Sequence, residues 1–211
     1  MNDLLVRLAR VGIVPVIAME DAAQAVPLAR ALTAGDIPVA EVTFRTAAGE
    51  EAIRRIASEL PEVLLGAGTV RSVEQVRRAI AAGAKYIVTP GLRADVAEYC
   101  VKNDILLLPG CVTPYEMELA MDLGITTLKF FPAEQAGGLD YIKACCAPYP
   151  ELRFVPTGGI GPLHLRKYLD FPKIIACGGS WMCPKAMIDA GEFDAITRLC
   201  VEAMKVRNGE R

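Results

Sequence analysis

The sequence predicts an α/β fold, a (β/α)8 barrel of the TIM type preceded by an N-terminal helix. Two observations carry that prediction. First, a brief apolar strand, a polar or Gly/Pro turn and an Ala/Leu-rich helix follow one another eight times, with strand starts near Ile13, Val39, Leu64, Tyr86, Ile105, Thr126, Arg153 and Lys173. The spacing runs from 19 residues (Tyr86 to Ile105) to 27 (Thr126 to Arg153), the size of one strand–helix unit with short loops. Alternation of this kind implies parallel strands joined by right-handed crossovers, and eight units in a row favour closure into a barrel. Second, the chain is 53 % hydrophobic but only 6 % aromatic, so its apolar content is mostly aliphatic. That suits helices packed on a buried parallel sheet, whose strands read as continuous apolar runs. The structural alternative is a doubly wound open sheet. It would usually carry a glycine-rich turn after the first strand, where this chain has Ile17-Ala18-Met19-Glu20.

In chain order, residues 2–10 form an amphipathic helix with Leu4, Leu5 and Leu8 on one side. Val11 to Met19 reads as the first buried strand. A signal-peptide core is the weaker account of it, because Glu20-Asp21 follows at once. Ser72 followed by Val73-Glu74-Gln75 has the form of a capping box. Gly35, Gly83 and Gly124 each follow an Ala- or Leu-rich helix, where a left-handed C-terminal residue is wanted. Pro114 and Pro162 stand where the first turn of a helix lacks partners anyway. No linker, low-complexity tract or charge run divides the 211 residues, so residues 1–211 are expected to be one barrel domain.

Composition excludes several classes. Net charge is −2 and no long basic block occurs, so nucleic acid is not an expected partner. No apolar run approaches the length of a membrane span, and no membrane partner is expected. The seven cysteines, at 100, 111, 145, 146, 177, 183 and 200, are odd in number and contain no C-x-x-C. Neither a disulfide framework nor a zinc site is indicated, and reduced thiols in a cytoplasmic protein are the simplest reading. No His/Cys/Asp/Glu cluster has metal-ligand spacing, so no metal or cofactor is expected.

The polar residues that packing does not explain fall at strand ends, where barrels of this class gather their chemistry. Thr126-Thr127-Leu128-Lys129-Phe130-Phe131-Pro132 is a short strand closed by proline, with Thr127, Lys129 and Phe131 on one face. Desolvation disfavours an ammonium held among apolar neighbours, and a neutral amine can attack a ketone to form an imine. The bland alternative is a strand-end lysine with its head in water. The second strand ends Glu41-Val42-Thr43-Phe44-Arg45, which puts Glu41, Thr43 and Arg45 on one face. Three polar groups pointing into a barrel are hard to account for as packing. The third strand ends Gly66-Ala67-Gly68-Thr69 and the fourth Thr89-Pro90-Gly91. Strands seven and eight end Thr157-Gly158-Gly159-Ile160 and Cys177-Gly178-Gly179-Ser180. Paired glycines after the last two strands are the expected form of a barrel phosphate site, and two tight turns are the alternative. His164, the one histidine, is read as a surface residue, and Trp181 with Met182 as packing.

Taken together, Glu41-Val42-Thr43-Phe44-Arg45-Thr46, Gly66-Ala67-Gly68-Thr69-Val70, Lys129-Phe130-Phe131-Pro132-Ala133-Glu134, Pro156-Thr157-Gly158-Gly159-Ile160 and Gly178-Gly179-Ser180-Trp181 resemble the 2-keto-3-deoxy-6-phosphogluconate (KDPG) / 4-hydroxy-2-oxoglutarate (KHG) aldolase family. The resemblance runs in order from about residue 4 to residue 205. It implies a metal-free, class I lyase on a (β/α)8 barrel, assembled as a homotrimer. It implies Lys129 as the Schiff-base nucleophile towards a keto acid and Glu41 as the general acid/base. Arg45 and Thr69 would hold the pyruvate carboxylate, and the Pro90 turn would shape the pocket. Thr157, Gly158, Gly159, Gly179 and Ser180 would receive the distal end of the substrate, a phosphate in the sugar-acid case. Gly161-Pro162-Leu163-His164 departs from the Ser- or Asn-containing helix start of the family, which bears on the polarity met by that distal end.

Two rival functions use part of the same pattern. A phosphate-binding isomerase or epimerase needs the Gly-Gly loops but no lysine on the sixth strand. A non-catalytic sugar-phosphate sensor has no use for a buried amine beside Glu41 and Arg45.

Overall fold

The computed structural model describes residues 2–210. Leu5, Leu8 and Val11 form the buried side of helix α1 (Asp3–Val11), which Asn2 caps through its side chain and a left-handed Gly12 ends. Strands β1 (Ile13–Ile17), β2 (Val39–Thr43), β3 (Leu64–Gly68) and β4 (Tyr86–Val88) alternate with helices α2 (Ala25–Ala34), α3 (Gly49–Glu59) and α4 (Val73–Ala82). The second half continues α5 (Ala94–Lys102), β5 (Leu106–Leu108), α6 (Pro114–Asp122), β6 (Thr127–Phe130), α7 (Gly138–Cys146), β7 (Arg153–Pro156), α8 (Pro162–Leu169) and β8 (Cys177–Gly179), then α9 (Lys185–Asp189) and α10 (Phe193–Asn208). Strands β2, β3 and β4 are buried at every position, as a sheet covered on both faces requires.

Every strand pairing is parallel. Six strands form one sheet in the order β5-β4-β3-β2-β1-β8, and β6 pairs with β7 in a second. The order is consecutive, without the reversal that a doubly wound sheet has at its centre. Isolated parallel bridges run between the two sheets, Gly110 to Lys129 on one side and Phe154 to Ile174 and Thr157 to Gly178 on the other. The fold is therefore mixed α/β with a parallel sheet that curves through at least half a barrel. No helix among the described residues is long and apolar enough to cross a membrane.

Three expectations need correction. The eighth strand does not start at Lys173 but at Cys177. The chain first bridges β7, with the Ile175 N–H donating to the Phe154 carbonyl, and then turns to β1, with the Cys177 N–H donating to the Gly12 carbonyl. Changing partners mid-segment breaks the ladder in two. Gly35 is not left-handed (φ −93°), and Asp36 after it is (φ 63°). What Gly35 supplies is closeness, because a Cβ there would overlap Cβ of Cys200 on α10. Gly83 and Gly124 do take the left-handed conformation.

The third correction concerns capping. Ser72 Oγ does accept from the Gln75 N–H, but the Gln75 side chain accepts from Arg71 rather than completing a box with Ser72. The complete box is at Thr113–Glu116, starting α6 behind Pro114. Glu116 Oε2 accepts from the N–H groups of Val112 and Thr113 and from the Thr113 hydroxyl, at 2.9, 2.8 and 2.8 Å. Burial opposes the charge of this carboxylate, but the three donors outweigh burial and hold it below the ordinary range.

A depressed carboxyl stabilises the fold above the unfolded-state value, near about 4.3 for glutamate, and loses that contribution as pH falls through the folded value. Glu116→Ala should therefore cost about 1–2 kcal/mol of unfolding free energy at neutral pH, with the gap to the parent closing as the solution becomes more acid than about pH 4. Equal urea midpoints for the two proteins across the whole pH series would contradict this account.

Candidate active site

Lys129 sits on β6 and is 6 % exposed; Glu41 sits on β2 and is 3 % exposed. Far apart in the chain, they meet inside the fold, where Lys129 Nζ donates to Glu41 Oε1 at 3.1 Å. Several features hold that contact. The backbone of Lys129 is fixed on both sides, its N–H donating to the Pro109 carbonyl and its carbonyl accepting from the Cys111 N–H, each at 2.9 Å. Gly68, beside Glu41 on β3, leaves room for the carboxylate, since a Cβ there would overlap Glu41 Oε1. Below, the Tyr86 ring fills space that Gly66 leaves open, and its hydroxyl donates to the Ala40 carbonyl at 3.3 Å. Burial first, and the charge of Glu41 second, push the Tyr86 phenol well up, so it stays a neutral donor.

Burying an ammonium and a carboxylate together costs on the order of several kcal/mol per ion before their attraction is counted, and apolar replacements of such pairs are often as stable. Stability is thus a poor reason for this pair, and chemistry a better one.

A cavity of about 540 Å³ shares Phe131 with the surroundings of the pair, although neither Lys129 nor Glu41 lines it. Arg45, Thr157, Gly158, Gly159, Gly179 and Ser180 line it together. Phe131 joins the two: it lines the cavity, and its ring centroid is 5.5 Å from Lys129 Nζ. Arg45 Nε donates to Thr43 Oγ1 at 3.3 Å, and Thr43 Oγ1 in turn donates to the Ile17 carbonyl at 2.8 Å, so the guanidinium hangs on a fixed post. Gly158 and Gly159 have φ of 106° and 76°, a backbone path closed to ordinary side chains. Among the described residues the N–H groups of Gly159, Ile160 and Gly161 find no backbone acceptor, which leaves them free for an anion. Thr157 Oγ1 is buried without a partner, and Gly178 leaves space against it.

Thr69 and Pro90 do not line that cavity. Thr69 follows Gly68 with φ 57°, an outlier for a β-branched residue and a strain that clusters at functional sites. The Pro90 carbonyl packs on Gly110, next to the bridge that Gly110 makes with Lys129.

Two side chains read from the sequence as inert are part of this cleft. His164 is not a plain surface residue: it lines the cavity half-buried, with Nδ1 enclosed and unpartnered. Trp181 packs its ring on Gly179 and also lines the cavity, with its Nε1 enclosed and unpartnered. Neither position follows a spacing rule, because the turns after β7 and β8 decide where they point. Among the described residues no three His, Cys, Asp or Glu side chains are grouped to hold a metal ion. All seven cysteines are free thiols, and burial pushes those of Cys100, Cys111 and Cys200 up, to about 11, about 12 and about 12.

Known proteins are similar to this chain in sequence and fold. The sequence model of the KDPG and KHG aldolase family matches residues 5–199. The 2-dehydro-3-deoxy-phosphogluconate aldolase of Treponema pallidum is 46 % identical over 199 residues, covering 94 % of this chain and 95 % of the relative. The KHG/KDPG aldolase of Escherichia coli K12 is 42 % identical over 193 residues, covering 92 % and 91 %. The crystal structure of the Legionella pneumophila KDPG aldolase, with pyruvate captured as a covalent carbinolamine, superposes with a TM-score of 0.92 at 36 % identity, over 95 % of this chain and 97 % of that one. The family match spans every strand from β1 to β8, and the chain belongs to the KDPG and KHG aldolase family.

Proposed function

We propose that this protein is a class I aldolase that cleaves 2-keto-3-deoxy-6-phosphogluconate or 4-hydroxy-2-oxoglutarate to pyruvate and an aldehyde, glyceraldehyde 3-phosphate or glyoxylate. The observation that carries the reading is the buried contact of 3.1 Å between Lys129 Nζ and Glu41 Oε1. The substrate classes are those in the names of the relatives.

In this reading Glu41 takes a proton from the Lys129 ammonium, and the freed amine adds to the ketone carbon of the keto acid. Glu41 returns the proton to the carbinolamine oxygen, then relays a second proton from the adduct nitrogen to the same oxygen, which leaves as water and gives the iminium. Glu41, again a carboxylate, then removes the proton of the C4 hydroxyl as the C3–C4 bond breaks. The electron pair of that bond moves into the iminium and makes an enamine, and the aldehyde departs. Protonation at C3 by Glu41 and hydrolysis release pyruvate and restore the amine. Arg45 and Thr69 hold the carboxylate of the keto acid, and the Pro90 turn closes that end. Thr157, Gly158, Gly159, Gly179 and Ser180 receive the distal group. The electron sink comes from Lys129 itself, so the mechanism calls on no metal or cofactor.

The finer fold reading is a closed (β/α)8 barrel made by residues 1–211 as one domain, supported by the bridges that join β5 to β6 and β7 to β8. A homotrimer is supported by the apolar pair Tyr115 and Leu119, exposed one turn apart on α6. Seven free thiols fit a cytoplasmic location. The isomerase and sensor alternatives leave the amine–carboxylate pair without a task.

Borohydride reduction in the presence of pyruvate should fix the keto acid on Lys129, and Lys129→Met should lose both the adduct and aldol cleavage; a labelled peptide elsewhere in the chain would sink the assignment. Glu41→Gln should lower kcat by roughly 10²–10⁴-fold while the imine can still be trapped, and parental turnover by this variant would remove Glu41 from the mechanism. Sedimentation equilibrium should return three times the chain mass, and a monomer at micromolar concentration would exclude the trimer.

A further inference from the structure

Glu41 has to exchange protons with several atoms in turn, so the place where its carboxylate rests governs every proton step assigned to it. Three strands set that place. Glu41 on β2 is the register partner of Gly66 on β3, and Gly66 is the register partner of Tyr86 on β4. In-register residues of parallel strands face the same side of the sheet, so Gly66 and Tyr86 share the inward face of Glu41.

Gly66 has no side chain, and the Tyr86 ring lies across it. A Cβ on Gly66 would come within 2.2 Å of Cζ of that ring and within 2.3 Å of Cε2. The ring therefore covers the ground directly beside Glu41. The carboxylate lies further along, over Gly68, where a Cβ would be 2.3 Å from Oε1 and 2.9 Å from Cδ. Gly68 pairs with Thr43, two residues on from Glu41. From that position Oε1 meets Lys129 Nζ at 3.1 Å.

The two glycines of β3 thus yield their places to different neighbours, one to a ring and the other to a carboxylate. The ring is tied down in turn. Its hydroxyl donates at 3.3 Å to the carbonyl of Ala40, the residue immediately before Glu41. Tyr86 is fully buried, and after burial it is the charge of Glu41 that raises its phenol, which puts the two groups within electrostatic reach.

We propose that Tyr86 is a positioning residue for proton transfer: its ring, seated across Gly66, closes the space into which the Glu41 side chain would otherwise drop and holds the carboxylate over Gly68, against Lys129. The inference rests on the aldolase reading of the pair and adds to it a residue that acts through Glu41.

The test follows exchange of the pyruvate methyl protons with deuterated water by NMR. Exchange requires the imine and proton transfer at C3 but no aldol cleavage, and it is expressed per mole of adduct trapped by borohydride at saturating pyruvate. A displacement of about 1 Å at a reacting group can cost on the order of 10²-fold, so Tyr86→Leu should slow exchange per adduct at least about 10-fold while the adduct still forms on Lys129. Tyr86→Phe keeps the ring and should recover most of the lost rate. Gly66→Ala keeps Tyr86 but drives its ring from its seat; it should reproduce the loss, and it covers the case in which Tyr86→Leu fails to fold. A residue that merely filled the core would lower thermal stability and the yield of adduct together and leave exchange per adduct unchanged. Parental exchange per adduct in Tyr86→Leu or Gly66→Ala overturns the proposal, as does a loss in Tyr86→Phe as deep as that in Tyr86→Leu. Either result, with a parent that traps and exchanges, refutes the role of Tyr86 alone, whereas a parent that does neither refutes the aldolase reading and this inference with it.

Discussion

The contact between Lys129 and Glu41 is the constraint that the rest of the molecule is built to meet. Two groups that would each be costly to bury alone lie side by side in a space lined by Tyr86, Gly68 and Phe131. Holding them needs strands from opposite parts of the chain at fixed distance, which a parallel sheet wrapped around a shared interior supplies. It also needs small residues at the points of closest approach. Gly66 admits the Tyr86 ring and Gly68 admits the Glu41 carboxylate. These two glycines sit in a strand, where glycine is a weak choice for stability, and their positions follow from what faces them.

The two ends of the cleft solve different electrostatic tasks. At the amine end, a proton must pass between carboxylate, amine and substrate within one enclosed space, so the groups are buried and touch. At the distal end the groups stand apart, along walls made of backbone N–H, Thr157 and Ser180, with His164 on the rim. An anion there is met mainly by dipoles, which carry no net charge of their own. Arg45 lines the same cavity, its Nε donating to Thr43 Oγ1.

Most of the strand starts were legible because an aliphatic run bounded by Gly, Pro or a polar turn has few other readings. Lys129 and Glu41 were legible for the opposite reason, as charges in places where apolar residues belong. The misreadings share a cause. The eighth strand changes partners at Ile175, Gly35 is chosen for its approach to Cys200, and Gln75 finds Arg71 instead of Ser72. In each case a local rule named a plausible role, and a neighbour from elsewhere in the chain or one residue away assigned another.

What the order of residues determined by itself is the alternation of strand and helix, the inward phase of Glu41, Thr43 and Lys129, and the paired glycines after the last two strands, since period and turn chemistry are local properties. Only the folded chain decided that Nζ of Lys129 reaches Glu41 rather than water, that Thr69 and Pro90 stand outside the main cavity, and that His164 and Trp181 line it. Those outcomes depend on how far one strand end stands from another, and no periodicity along a chain encodes a distance across it.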